Sequence, residues 1–124
     1  DNVGNSIGIP AFADVDGSEN GAEIIVSKRQ VNLMAYNMVN DDTILERATN
    51  GYINTSPAVG DISPQFEGDE VCFGNDASDL YIKRGDNGDD LSGYPKESGG
   101  WFRTSPALAM LEGENDTTVD IMVA

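Results

Sequence analysis

Histidine is absent from the 124 residues, so histidine triads, imidazole general bases and histidine-ligated metals lie outside what this chain can do alone. Cysteine is almost absent too. The one residue, Cys72, cannot close an internal disulfide, and it stands where comparable segments carry Ile25 and Met122, so it reads as a small buried hydrophobe. Basic residues are scarce, 7 against 22 acidic for a net charge of −15, which argues against nucleic acid and anionic membranes because their phosphates would be repelled. No apolar run approaches the ~20 residues of a membrane-spanning helix. Cations are the natural counter-species. The acids are scattered among apolar runs and glycines and do not form the single block of a disordered acidic tail. A merely solvated acidic surface is the plain alternative.

What the chain does have is repetition. Ile9-Pro10-Ala11-Phe12-Ala13-Asp14 before Glu23-Ile24-Ile25-Val26 returns as Ser56-Pro57-Ala58-Val59-Gly60-Asp61 before Glu70-Val71-Cys72-Phe73. It returns once more as Ser105-Pro106-Ala107-Leu108-Ala109 before Asp120-Ile121-Met122-Val123, now with Met110 where an Asp is expected. The prolines are 47 and 49 residues apart, and the Asp14/Asp61 and Glu23/Glu70 pairs keep the offset of 47 without a gap. Ahead of the later prolines, Gly51-Tyr52-Ile53-Asn54-Thr55-Ser56 matches Gly100-Trp101-Phe102-Arg103-Thr104-Ser105 in type. A period of this size marks stacked or radially arranged supersecondary units, each burying its faces against neighbours. It fits the chain about two and a half times, so the expectation is a piece of a longer array or a chain that depends on partners.

Short strands fit the pattern better than helices. Val31 to Tyr36 and Leu80 to Lys83 are brief apolar-rich runs followed by turn signals, Asn37 and Gly85-Asp86-Asn87-Gly88. Asp41 to Ala48 is the most helix-like stretch, but its counterpart contains Ser92-Gly93-Tyr94-Pro95, so it reads as a fourth, irregular strand. Small residues recur at alternate positions of the first strand: Ala11 and Ala13, Ala58 and Gly60, Ala107 and Ala109. Alternation places them on one face, and small side chains let sheets approach, as the inner strand of a four-stranded propeller blade requires. The fold expected is all-β, with propeller blades of four antiparallel strands in an incomplete ring. Residues 1–51 form a first blade, 52–100 a second, and 101–124 the first half of a third. Tyr52 and Trp101 are expected to hold equivalent positions, each at least half buried.

The phrase Ser-Pro-Ala-x-Ala-Asp-x-Asp-Gly, an acidic loop, Glu-Ile-Ile-Val, Leu-Tyr, Gly-Tyr-Pro and a return to Thr-Ser-Pro-Ala resembles the FG-GAP or VCBS class of β-propeller repeat. That class occurs in integrin α-subunit heads and many secreted microbial proteins. A pyrroloquinoline-quinone-type propeller repeat shares Ser-Pro-Ala but lacks the acidic loop, and ranks second. The resemblance covers essentially the whole chain and implies calcium in the loop between the first two strands. By position its ligands would be Asp14, Asp16 and Ser18, with Asn20 a fourth. The residues suit this, since hard cations take six to eight oxygens and alternating oxygen-bearing side chains around a glycine turn can converge on one point. Gly17 comes early and Ser18 replaces an acid, so a turn held by Asx hydrogen bonds stays open beside calcium. The second loop, Asp61 to Glu70, has Ser63 and Pro64 where an acid and a glycine stood, and reads as a plain turn. The third offers Glu112, Glu114, Asp116 and Asp120 without the leading Asp. Glu23, Glu70 and Asp120, each just before a second strand, read as acceptors of backbone hydrogen bonds from the loop they close.

Other motifs carry less. Arg84-Gly85-Asp86 is the tripeptide read by adhesion receptors, but Gly-Asp after a strand is ordinary turn chemistry. Asn54-Thr55-Ser56 and Asn115-Asp116-Thr117 are formal glycosylation acceptors. The pairs Asp41-Asp42 and Asp89-Asp90 would face opposite ways on extended backbone, which does not suit paired-carboxylate catalysis. The function expected is therefore a non-catalytic, extracellular or cell-surface β-propeller segment, a binding or assembly module whose acidic loops hold calcium. Its partners would be a protein or glycan ligand and the parent chain or other subunits that complete the sheets. The alternatives are a non-catalytic piece of a larger secreted carbohydrate-active enzyme or dehydrogenase propeller, and a structural subunit of a surface layer, appendage or virion.

Overall fold

The computed structural model describes residues 8–18, 21–28, 32–110 and 119–124. Among them there is no helix, and ten strands form three antiparallel sheets that do not close into a ring. The first sheet is β1 (Ala11–Ala13), β2 (Glu23–Lys28), β3 (Asn32–Asn37) and β4 (Asp42–Ala48), in chain order. The second repeats that order with β5 (Ala58–Gly60), β6 (Glu70–Gly74), β7 (Asp79–Lys83) and β8 (Lys96–Glu97). The third is the pair β9 (Ala107–Ala109) and β10 (Asp120–Met122).

The register is the same in all three sheets. Ala11 faces Ile25 and Ala13 faces Glu23, Ala58 faces Cys72 and Gly60 faces Glu70, and Ala107 faces Met122 and Ala109 faces Asp120. The proline-to-acid spacing is 13 residues in the first two units and 14 in the third, yet the register is kept, since a slip by one residue would turn the apolar set to the wrong face. Cys72 is fully buried, as its place in the pattern requires, and burial pushes its thiol up to about 12.

The sheets meet through their first strands: β1 lies against β5, and β5 against β9. Small residues make the approach possible; even a Cβ added to Gly60 would come within 3.3 Å of Leu108 Cδ1. One core spans the first two sheets, joining Ile25, Leu33, Ala35 and Leu45 to Ile53, Val71, Phe73 and Tyr81, with Val15 between them. The Phe73 and Tyr81 rings stack with centroids 5.3 Å apart.

Polar bonds follow the period as well. The Ile9 N–H donates to Ser56 Oγ at 2.7 Å, and the Ser56 N–H donates to Ser105 Oγ at 2.9 Å. Within the second unit, the Thr55 hydroxyl donates to the Gly74 carbonyl at 3.0 Å and accepts the Gly74 N–H at 3.2 Å. Thr104 holds Ala124 in the same two ways at 2.6 and 3.3 Å.

β4 is a seven-residue strand and irregular as expected: Ala35 pairs with Leu45 and Tyr36 with Thr43, so Ile44 is passed over in the pairing and bulges, while β8 is only two residues long behind Pro95. One expectation is corrected. Tyr52 and Trp101 do hold matching positions, but both are mainly exposed, at 51% and 66%. Their neighbours Ile53 and Phe102 fill the interior instead, at 0% and 6%. Adjacent residues of extended chain point to opposite sides, so only one of each pair can face the core.

Candidate functional site

The loop from β1 to β2 brings Asp14, Asp16 and Glu23 together, with one carboxylate oxygen from each lying within 4.8 Å of the others. Asp14 is exposed, Asp16 half-buried and Glu23 fully buried. Gly17 turns the chain at φ 68°, in the left-handed region that a side chain would disfavour. The Ser18 N–H donates to Asp16 Oδ1 at 2.9 Å, an Asx turn that fixes the Asp16 carboxylate. Calcium and the Asx turn are therefore compatible, because the turn occupies one oxygen and orients the other. Asn20 lies outside the described residues.

Glu23 closes the loop from beneath. Its Oε2 accepts the Val15 N–H at 3.1 Å and its Oε1 accepts Asn37 Nδ2 at 3.0 Å, the structural role expected of it. Burial raises its pKa above the ordinary value; the Val15 hydrogen bond opposes this, and the negative charges of Asp16 and Asp14 add to it. A cation beside the triad would reverse those repulsions. The donors are all hard oxygens, which suits calcium or magnesium and not a thiolate- or imidazole-seeking metal.

The second loop lies alongside the first. The Asp69 N–H donates to the Asp14 carbonyl at 3.2 Å, and Gly68, at φ 75°, sits against Val15 and Gly17 where a Cβ would overlap the Val15 carbonyl. Burial, then the charges of Asp61 and Asp14, raise the Asp69 pKa. Glu70 repeats the role of Glu23, its Oε2 accepting the Ile62 and Ser63 N–H groups at 2.9 and 2.8 Å. Burial raises its pKa too, against those two bonds. Its Oε1 is buried without a hydrogen-bond partner. The reason is the cross-strand neighbour: Asn37 serves Glu23, but the matching residue Arg84 is ion-paired with Asp86 and lies 3.7 Å from the Phe66 ring centroid. In the third loop Glu112, Glu114 and Asp116 lie outside the described residues, and Asp120 opens β10.

Arg84 and Asp86 therefore bind each other, and Gly85 between them is buried where a Cβ would overlap the Val15 carbonyl. Of the acidic pairs, Asp41 accepts the Tyr36 hydroxyl, and Asp90 pairs with Lys83 at 2.7 Å. Asn54 is exposed, and Asn115 lies outside the described residues. A scan of protein-family models found no match to the chain, and neither did a search of curated proteins.

Proposed function

We propose that this chain is a non-catalytic segment of an extracellular β-propeller that serves as a binding and assembly module, with calcium held by its first acidic loop. The observation that carries the reading is the meeting of Asp14, Asp16 and Glu23 at the end of an inner strand that is itself one of a row. Three carboxylates so close repel one another, and a divalent cation offsets the repulsion while drawing its remaining ligands from carbonyls and water. Extracellular calcium is abundant enough for an open, partly exposed site of this kind, for which affinities of about 10⁻⁴–10⁻³ M are usual. The assembly role is supported by the inner strands, which pack side by side in a row with backbone N–H groups donated to serine hydroxyls of the next unit. Calorimetric titration of the full chain tests the calcium part: heat and a raised melting temperature at millimolar calcium are expected, and no response removes it.

A further inference from the structure

Asparagine before glycine is prone to cyclise on itself, because no side chain shields the glycine nitrogen from the amide carbon that precedes it. Such pairs occur at Asn20-Gly21, Asn50-Gly51 and Asn87-Gly88, and both residues of the last two are described. These two differ at the nitrogen. The Gly88 N–H donates to the Arg84 carbonyl at 2.8 Å, whereas the Gly51 N–H meets no acceptor among the described residues. They differ at the amide as well. Asn87 Oδ1 accepts the Asp89 N–H at 2.8 Å. Asn50, exposed to solvent, accepts on Oδ1 both Asn75 Nδ2 at 2.7 Å and the Tyr81 hydroxyl at 3.0 Å, while its Nδ2 donates to Asp79 Oδ2 at 2.5 Å. Two donors on that oxygen draw electrons from Cγ and stand ready for the charge it gains when Cγ is attacked. Packing imposes the glycine: a Cβ at Gly51 would lie 2.7 Å from Asp76 Oδ1 and 2.8 Å from Ala77 Cβ.

We infer that Asn50 is a site of spontaneous deamidation in the folded chain, with water as the co-reactant. The Gly51 nitrogen gives its proton to solvent base and bonds to Asn50 Cγ; the Cγ–Nδ2 bond breaks, and the nitrogen takes a proton from water and leaves as ammonia. Water then adds to either carbonyl of the succinimide and opens it to aspartate or isoaspartate. Either product adds a negative charge and removes the donor to Asp79, so attraction turns to repulsion where the chain passes from β4 into the second unit. The matching pair before the third unit is Gly99-Gly100, which has no amide to lose. The modification therefore belongs to the first junction alone of these two.

The inference stands apart from the calcium site and from the module reading. It is tested by ageing the full chain in mildly alkaline buffer, folded and in parallel in denaturant, and following Asn50 and Asn87 by peptide mapping that separates asparagine, aspartate and isoaspartate. In the folded chain Asn50 should convert about three- to tenfold faster than Asn87, the size of the one hydrogen bond that the Gly88 nitrogen must first break. In denaturant that bond is gone, and the two pairs should convert at comparable rates. Folded-state conversion of Asn87 as fast as that of Asn50 overturns the inference, and so does an Asn50 that stays intact while the denatured chain converts. The effect on the junction is read with Asn50→Asp, which should lower the melting temperature, and with Asp79→Asn added to it, which should restore most of the loss. An Asn50→Asp variant that melts with wild type would contradict the repulsion.

Discussion

The Thr55 hydroxyl satisfies both backbone groups of Gly74, accepting its N–H and donating to its carbonyl, and thereby locks the approach to β5 onto the end of β6. Thr55 is buried, so Thr55→Val leaves two polar groups without water or a partner. The expected loss is about 1–3 kcal/mol, measured by denaturant unfolding. The matching Thr104→Val change, at an exposed clamp, should cost under about 0.5 kcal/mol. Equal losses at the two sites would show that burial does not govern the clamp.

Gly85 and Gly60 make a second contrast. A Cβ at Gly85 would overlap the Val15 carbonyl and crowd the Asp69 carbonyl, both backbone atoms with little room to move. Gly85→Ala should destabilise by about 1–3 kcal/mol. At Gly60 the only neighbour among the described residues is the flexible end of Leu108, and Gly60→Ala should stay within about 0.5 kcal/mol of wild type. Thermal melts of the two variants side by side decide this.

The repeat was legible because Pro, Asp and Glu recur in step, and register in a sheet follows from such spacing. The inner strands were legible for the same reason, since alternating Ala and Gly have one face. The Ser56–Ser105 bond was not: a hydroxyl before proline is ordinary in sequence, and its partner appears only when the units are set side by side. The burial of Ile53 and Phe102 in place of Tyr52 and Trp101 turns on a single residue of phase, which ring size does not reveal. The acidic loop was legible through Asp14 and Asp16. Glu23 was recognised as a loop-closing acceptor, yet its approach to both aspartates needed the fold. The orphaned Glu70 oxygen depends on which way Arg84 turns, and sequence does not fix that.

Glu70 makes stability fall with rising pH. Its folded pKa is raised, so the folded state keeps a proton that the unfolded chain has released; stability is lost from the ordinary glutamate value of 4.5 up through the raised folded value. Glu23 and Asp69 act in the same direction. Glu70→Gln removes one of these contributions and adds a pH-independent offset for its buried amide. The variant's melting temperature relative to wild type should therefore climb as pH rises from acid to neutral. A difference that stays flat across that range would contradict the assignment.

Asp16→Ala should abolish the calcium-dependent rise in melting temperature. It also removes the acceptor for the Ser18 N–H, so its baseline in chelator should fall by about 0.5–1.5 kcal/mol. The comparison that matters is the calcium increment within each protein, measured by scanning calorimetry. A wild-type-sized increment in the variant would remove Asp16 from the site.

Amide hydrogen exchange along the full chain tests the central claim, that β9 and β10 repeat the first two strands of a unit whose full form has four. A two-stranded sheet is marginal alone, so Ile121 and Met122 should exchange much faster than Cys72, Phe73 and Ile82 in the closed second sheet. Uniformly slow exchange in a monomer that unfolds in one sharp transition would contradict the claim, because the third sheet would then be complete as it stands.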